Sequence, residues 1–131
     1  MDTPTPAPAL TPTPALTGED RLWGAVAHLS AFSMYLTGIG FVVGPLIVWV
    51  WKRDTSAFAG EEAREAMNFN ISIALYYAAA GLLCLTIILT PIALLLIGLI
   101  HAFQIVCIII GALKASDGRA FRYPLNLRLV K

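Results

Sequence analysis

The chain has 131 residues, of which 58% are hydrophobic and 13% are charged. This composition excludes an ordinary soluble domain and is typical of integral membrane proteins. The formal net charge of +1 gives no reason to expect a nucleic-acid partner.

Residues 1–17 contain five prolines and repeat a Thr-Pro-Thr-Pro-Ala pattern. Because proline fixes φ and lacks a backbone donor, we expect an extended, disordered tail here. Residues 18–115 are predicted to form a four-helix transmembrane domain. Residues 116–131 are predicted to form a basic, aromatic cytoplasmic tail.

The transmembrane prediction rests on two stretches without charge, between Leu22 and Trp51 and between Ala66 and Leu113. A charge at bilayer depth costs about 2.5–3.5 kcal/mol on insertion scales, so such stretches predict membrane spans. All nine lysine and arginine residues lie outside them, and the eight in the central loop and the C-terminal tail are predicted to be cytoplasmic by the positive-inside rule. The nine are Arg21, Lys52, Arg53, Arg64, Lys114, Arg119, Arg122, Arg128 and Lys131.

The first apolar stretch is broken by Thr37-Gly38-Ile39-Gly40. We therefore predict a helical hairpin over residues 18–52, whose first arm runs from Gly18 to Leu36. One continuous helix from Leu22 to Trp51 is the alternative, but it would be about 45 Å long and would carry a proline. The hairpin places both termini on the cytoplasmic side of the cell (inner) membrane.

The second apolar stretch predicts a long helix over residues 61–89 and a fourth helix over residues 92–115, separated at Thr90-Pro91. The long helix carries a stripe of polar residues at near-helical spacing. This stripe comprises Glu61, Glu65, Asn68, Ser72 and Tyr76. The tail that follows the fourth helix is predicted to lie against anionic lipid. A short strand packed on the central loop is the alternative.

Polar residues inside the predicted spans are the candidate site residues. Counting about 1.5 Å per residue from the cytoplasmic boundary places five of them in the inner half of the membrane. We expect these five to face inward as one polar layer, of structural or functional use: His28, Ser72, Tyr76, His101 and Gln104. The two histidines lie on different helices with no carboxylate inside either apolar stretch, so no metal site and no cofactor are predicted.

Four groups of residues resemble motifs of a known family. They are Ala27 to Ala31, Gly44-Pro45 to Trp49, Glu65-Ala66-Met67-Asn68-Phe69 to Ser72, and Gly118 with Arg122-Tyr123-Pro124-Leu125. The chain is similar in these motifs to small bacterial and archaeal four-helix membrane proteins, a domain-of-unknown-function family related to the Tic-twenty-type component of chloroplast inner-envelope protein import. The resemblance marks Gly44, Pro45, Trp49, Glu65, Asn68, Phe69, Tyr123 and Pro124 as motif residues.

One departure from that family is visible. Its members often carry a histidine three residues before the Glu-Ala-x-Asn-Phe motif, where this chain has Glu62. Any role of that histidine is not carried over to this chain.

The resemblance implies four helices with both ends on one side, and a link to protein translocation or membrane-complex assembly. No motif of an enzyme active site is found. We therefore expect a non-enzymatic scaffold or accessory protein in the lipid bilayer, with a membrane-protein partner or a second copy of itself. A small oligomeric channel or transporter is the alternative, suggested by the face that His101 and Gln104 share.

Overall fold

The computed structural model describes residues 14–131, so residues 1–13 of the predicted tail lie outside the described part. All regular structure in residues 14–131 is helical, and the all-α prediction is confirmed for them. The elements in chain order are α1 (Gly18–Leu29), a 3-10 turn (Ser30–Ser33), α2 (Met34–Thr37), α3 (Gly40–Lys52), α4 (Ala57–Leu83) and α5 (Thr90–Ser116).

The predicted hairpin forms, and the continuous-helix alternative does not. The chain reverses at Gly38, whose φ of 74° lies in the left-handed region that favours glycine. Gly44 then brings α3 against the 3-10 turn so closely that a β-carbon there would collide with the carbonyl oxygen of Ser30. The first arm is not one helix to Leu36 as predicted. It tightens into the 3-10 turn, where the Ser30 and Ser33 hydroxyls donate to the carbonyls of Ala27 and Ser30.

The long helix, α4, begins four residues earlier than predicted and ends six residues earlier. Ser56 sets its start by accepting a hydrogen bond from the Ala59 amide at 3.2 Å. Beyond Leu83 the backbone bonds shift to three-residue spacing, and the Thr86 hydroxyl donates to the Leu83 carbonyl at 3.1 Å. Helix α5 starts two residues earlier than predicted, with its proline in the first turn, and ends one residue later.

Helices α4 and α5 are each 27 residues long and are apolar enough to cross a membrane. Both are about 40 Å long at 1.5 Å per residue, which exceeds a hydrocarbon core of about 30 Å. Helix α3, with 13 residues, is shorter than a span. The described chain therefore has two helices of spanning length and a shorter hairpin packed beside them.

Helix α4 is the centre of the bundle, because α1, α3 and α5 all pack against it. Small residues permit the close approach of these helices: Ala27, Ala63, Ala66 and Ala115 are fully buried. At one end of the bundle the hairpin is tied to the loop before α4. There Lys52 donates to Glu19 at 2.9 Å, and Ser56 donates to Asp20 at 2.6 Å.

Candidate functional site: the C-terminal segment docked on α4

The polar face of α4 binds the C-terminal segment, which is defined here as residues 119–131. Five side chains of α4 spaced three or four residues apart share this face, and each contacts the segment. They are Glu62, Glu65, Asn68, Ser72 and Tyr76. The predicted stripe had Glu61 in the first position. In the structure Glu61 is exposed and pairs with Arg64 at 2.6 Å, while its neighbour Glu62 faces the segment.

A buried cluster of His28, Glu62 and Tyr123 lies at the start of this face. The Nε2 atom of His28 lies 2.8 Å from Glu62 Oε2, and Nδ1 lies 2.7 Å from the Tyr123 hydroxyl. Both oxygens of Glu62 also accept from the Phe121 amide at 3.2 Å. The side chains of His28, Glu62 and Tyr123 are at most 2% exposed. This cluster therefore joins α1, α4 and the C-terminal segment out of contact with water.

The hydrogen-bond roles in this cluster follow from its donors and acceptors. Burial raises the pKa of the Tyr123 hydroxyl well above its usual value, so the hydroxyl keeps its proton and can donate. With the Tyr123 hydroxyl donating to Nδ1, the ring proton of His28 lies on Nε2 and is donated to the Glu62 carboxylate. Every polar atom of the cluster has a partner, as buried polar groups require.

Glu65 holds the middle of the segment through charge-assisted contacts. It accepts from the Tyr123 amide at 3.0 Å and from two nitrogens of Arg128 at 3.0 and 3.2 Å. Arg122 adds a longer contact at 3.3 Å. Since Glu65 is only 4% exposed, these donors balance the cost of burying its charge.

Three further residues of α4 bind the backbone of the segment. Asn68 donates to the Val130 carbonyl at 2.8 Å and accepts from the Val130 amide at 2.6 Å. Ser72 accepts from the Leu127 amide at 2.9 Å, and Tyr76 donates to the Leu125 carbonyl at 2.6 Å. The segment thus runs along α4 as far as Tyr76, turns at Leu125, where φ is 55°, and returns to Asn68.

The segment also contributes two aromatic side chains to the core. Tyr123 stacks on Phe69 at 4.0 Å between ring centroids, and Phe121 packs edge-on against Tyr123 at 4.8 Å. Gly111 of α5 lies beside them, where a β-carbon would be 2.9 Å from Nδ1 of His28 and 3.0 Å from the Tyr123 oxygen. The prediction for residues 116–131 was a segment lying on lipid or a strand on the central loop. Instead, Phe121 and Tyr123 lie inside the bundle, and residues 119–131 form no strand.

A second polar group lies farther along the bundle, between α2, α4 and α5. The Tyr35 hydroxyl and Nε2 of His101 are 3.0 Å apart, as are Nδ1 of His101 and the Tyr77 hydroxyl. Tyr77 donates to Gln104 at 3.1 Å, and Gln104 donates to Asn70 at 2.8 Å. The Asn70 amide donates in turn to the carbonyl of Ala66 at 2.8 Å, so hydrogen bonds run without interruption from Tyr35 to the α4 backbone.

The five residues of the predicted polar layer are divided among these groups. His28 belongs to the buried cluster, Ser72 and Tyr76 bind the C-terminal segment, and only His101 and Gln104 share one hydrogen-bonded network. Sequence reasoning did not find the partners of these residues. They are Tyr35, Glu62, Asn70, Tyr77 and the hydroxyl of Tyr123. The spacing of three between Glu62 and Glu65 was the available signal for Glu62.

Of the motif residues outside the polar face, Pro45 and Trp49 pack within the bundle, whereas Pro124 does not. Pro45 is buried in α3, and Trp49 of the same helix stacks under Arg53 at 4.8 Å. Pro124 is exposed just before the turn at Leu125. Within residues 14–131 no group of three or more His, Cys, Asp or Glu side chains is arranged to hold a metal ion.

Comparison with known protein families gives a match that covers nearly all of the helical part and of the C-terminal segment. The sequence model of MamF/MmsF, the magnetosome magnetite crystal formation protein family, matches residues 19–130. The chain belongs to this family. No curated protein and no solved structure matched the chain.

The MamF/MmsF assignment corrects the resemblance to the Tic-twenty-related family, which was wrong. Three of the motif residues that suggested it, Glu65, Asn68 and Tyr123, hold the C-terminal segment on α4. In this structure these residues therefore serve the packing of the segment on α4. Membership of the MamF/MmsF family associates the chain with the magnetosome membrane and supports an accessory role in magnetite crystal formation.

Proposed function

We propose that this protein is a non-enzymatic accessory protein of the magnetosome membrane that acts in magnetite crystal formation. It is anchored by α4 and α5, and its docked C-terminal segment lies at the cytoplasmic end of the bundle. The family assignment supports a role in magnetite crystal formation. The structural observation that supports anchoring in the membrane is the exposed apolar surface of α5.

Helix α5 differs from the core helix of a soluble protein because most of it is uncovered. Only 22% of its most apolar stretch of 18 residues is buried. Soluble monomers rarely expose contiguous apolar patches larger than a few hundred Å², whereas lipid covers such a surface without cost. The exposed residues are Ile92, Leu94, Leu95, Leu96, Leu99, Val106, Ile109, Ile110 and Leu113.

The distribution of charge supports an orientation. The hairpin turn at residues 37–39 and the turn at residues 84–89 carry no charged side chain. At the opposite end lie Lys52, Arg53 and Lys114, together with the C-terminal segment. The positive-inside rule therefore favours a cytoplasmic location for the charged end, and with it for residue 14 and residue 131.

An accessory role fits this chemistry better than direct binding of mineral or catalysis. The uncharged turns offer threonine hydroxyls and the exposed thiol of Cys84 as their polar side-chain groups, and no carboxylate that could coordinate iron. The buried carboxylates, Glu62 and Glu65, are used to hold the C-terminal segment. The cytoplasmic end is thus the part of the described chain that has polar surface for contact with other components.

The experiment combines location with phenotype in the magnetosome-forming host. We expect the tagged protein to remain in isolated magnetosome membranes after an alkaline carbonate wash. We also expect deletion of the gene to change the size distribution of magnetite crystals in electron micrographs, and wild-type protein to restore it. Release of the protein by the wash, or crystals of unchanged size and shape, would contradict the proposal.

A small oligomeric channel is the second candidate, favoured by the hydrogen-bonded network of Tyr35, His101, Tyr77, Gln104 and Asn70. Polar side chains at this depth often line a path for ions or protons. In one chain, however, the network ends at the Ala66 carbonyl, so a path would need several chains. Proton flux into liposomes should therefore fall when His101 is replaced by Phe. Flux equal to that of empty vesicles for the wild type would exclude this candidate.

A further inference from the structure

One side of the C-terminal segment is exposed and apolar. Its inner side is bound to α4, partly through the backbone of Leu125 and Leu127, but the side chains of Leu125, Leu127 and Leu129 are exposed. They are 69%, 51% and 58% exposed, respectively. This row of leucines is referred to as the leucine ridge. The described chain contains nothing that covers the leucine ridge.

A cationic cleft lies beside the leucine ridge, between the segment and the first turns of α4. Its volume is about 320 Å³. It is lined by Arg64, Glu65, Asn68, Arg122, Arg128, Val130 and Lys131. Four of these side chains are cationic, and Glu65 is the one carboxylate among them.

The arginines of the cleft differ in how many of their N–H donors already bind a carboxylate. Arg128 is committed to Glu65 through two nitrogens, and Arg64 binds Glu61 through a single nitrogen. Arg122 is 64% exposed and makes a single contact of 3.3 Å, so most of its N–H donors are free. A guanidinium group has five donors in a planar fork that matches the oxygens of a phosphate. The cleft therefore has spare donors and an excess of positive charge.

The cleft and the leucine ridge are arranged in the order of the two parts of a phospholipid. The cleft lies near Glu65, at the charged end of the bundle, where headgroups would be. The ridge extends from there toward Tyr76, which is eleven residues, or about 16 Å, farther along α4. Cationic side chains at headgroup level with apolar ones below them are typical of contact with an anionic leaflet.

We propose that the cleft and the leucine ridge together bind one anionic phospholipid of the leaflet at the charged end. The phosphate accepts hydrogen bonds from Arg64 and Arg122, and an acyl chain lies along Leu125, Leu127 and Leu129. The inference rests on the membrane insertion proposed above. A second copy of the chain is the less favoured occupant, because it would bring two cationic clefts together.

The test measures retention of single lipids by the full-length protein in detergent, where no bilayer surface potential contributes. Native mass spectrometry would compare phosphatidylglycerol with phosphatidylcholine. We expect preferential retention of phosphatidylglycerol, reduced about tenfold in the Arg64→Gln/Arg122→Gln variant, since two charge-assisted contacts are lost. The control, Arg21→Gln/Arg119→Gln, removes the same charge from exposed residues outside the cleft and should retain phosphatidylglycerol as the wild type does.

Protection of the segment from trypsin checks that it stays docked in the double variant. If it does not, Arg64→Gln alone decides, because the hydrogen bonds of the Arg64 side chain go to Glu61 and not to the segment. Equal retention of both lipids by the wild type, or equal losses in the variant and the control, would overturn the inference. The inference would also be overturned if the protein is a dimer and Leu127→Asp converts it to a monomer without changing the retention of phosphatidylglycerol. If these results are obtained with a protein that stays in the membrane during the carbonate wash, the lipid site is ruled out but the proposed function is not.

Discussion

Replacement of Glu62 by alanine is expected to lower the free energy of unfolding by about 3–5 kcal/mol and to release the C-terminal segment. The substitution removes the acceptor of both His28 Nε2 and the Phe121 amide, which are buried. Each buried donor left without a partner costs about 1–3 kcal/mol, and two such donors are left here. Unfolding in detergent gives the free energy, and tryptic cleavage after Arg122 and Arg128 reports release.

Glu61→Ala is the matched control for this prediction. Glu61 is the preceding residue on the same helix, but it is exposed and pairs with Arg64, which is also partly exposed. Such pairs contribute about 0.5 kcal/mol or less. We expect the control to unfold as the wild type does and to keep its segment protected from trypsin. Equal behaviour of the two variants would show that Glu62 does not hold the segment.

Replacement of Gly111 by alanine is expected to destabilise the protein by about 1–2 kcal/mol and to loosen the same segment. The new β-carbon would lie 2.9 Å from His28 Nδ1 and 3.0 Å from both Phe121 and the Tyr123 oxygen. Overpacking of this kind costs about 1–3 kcal/mol, offset by up to about 1 kcal/mol from the higher helix propensity of alanine. Denaturant or SDS titration in detergent would measure the change.

Gly98→Ala provides the comparison, because it is the same substitution in the same helix. A β-carbon at residue 98 meets no atom within 4 Å. Only the propensity term remains, so we expect stability to be unchanged or raised by up to about 1 kcal/mol. The two glycine variants should therefore shift stability in opposite directions. A Gly111→Ala protein as stable as the Gly98→Ala protein would mean that the segment does not pack against α5 as described.

The division of the predicted polar layer has a geometric reason. The prediction used depth along the helix axes, at about 1.5 Å per residue, and so placed the five residues in the same half of the membrane. Direction around the axis was not available from one helix at a time. Ser72 and Tyr76 point from α4 toward the C-terminal segment, whereas Gln104 points from α5 toward Asn70. Residues at one depth can therefore belong to different networks.

The choice between Glu61 and Glu62 illustrates the same point. Successive residues of an α-helix are about 100° apart around its axis, so of two adjacent acids only one can face a given neighbour. Both begin the acidic part of α4, and composition does not distinguish them. Contact with α1 decides which of the two acids is buried, because His28 of α1 meets the face of α4 that carries Glu62.

The sequence by itself determined the features that depend on nearby residues. The lengths of the uncharged stretches determined the helical class, Gly38 determined the reversal of the hairpin, and the basic residues determined which end of the bundle is charged. These signals act over one helix or one turn, and for that reason they can be read from a single sequence.

Only the tertiary structure decided where the C-terminal segment lies. Its contacts join residues far apart in the chain, 59 positions between Glu62 and Phe121 and 95 between His28 and Tyr123. The alternation of leucines with Asn126 and Arg128 was compatible with lipid on one side, and no local signal showed that α4 would occupy the other. The binding face is completed by packing, because Glu62 is buried between His28 of α1 and the Phe121 amide, and the buried Glu65 takes its donors from the segment.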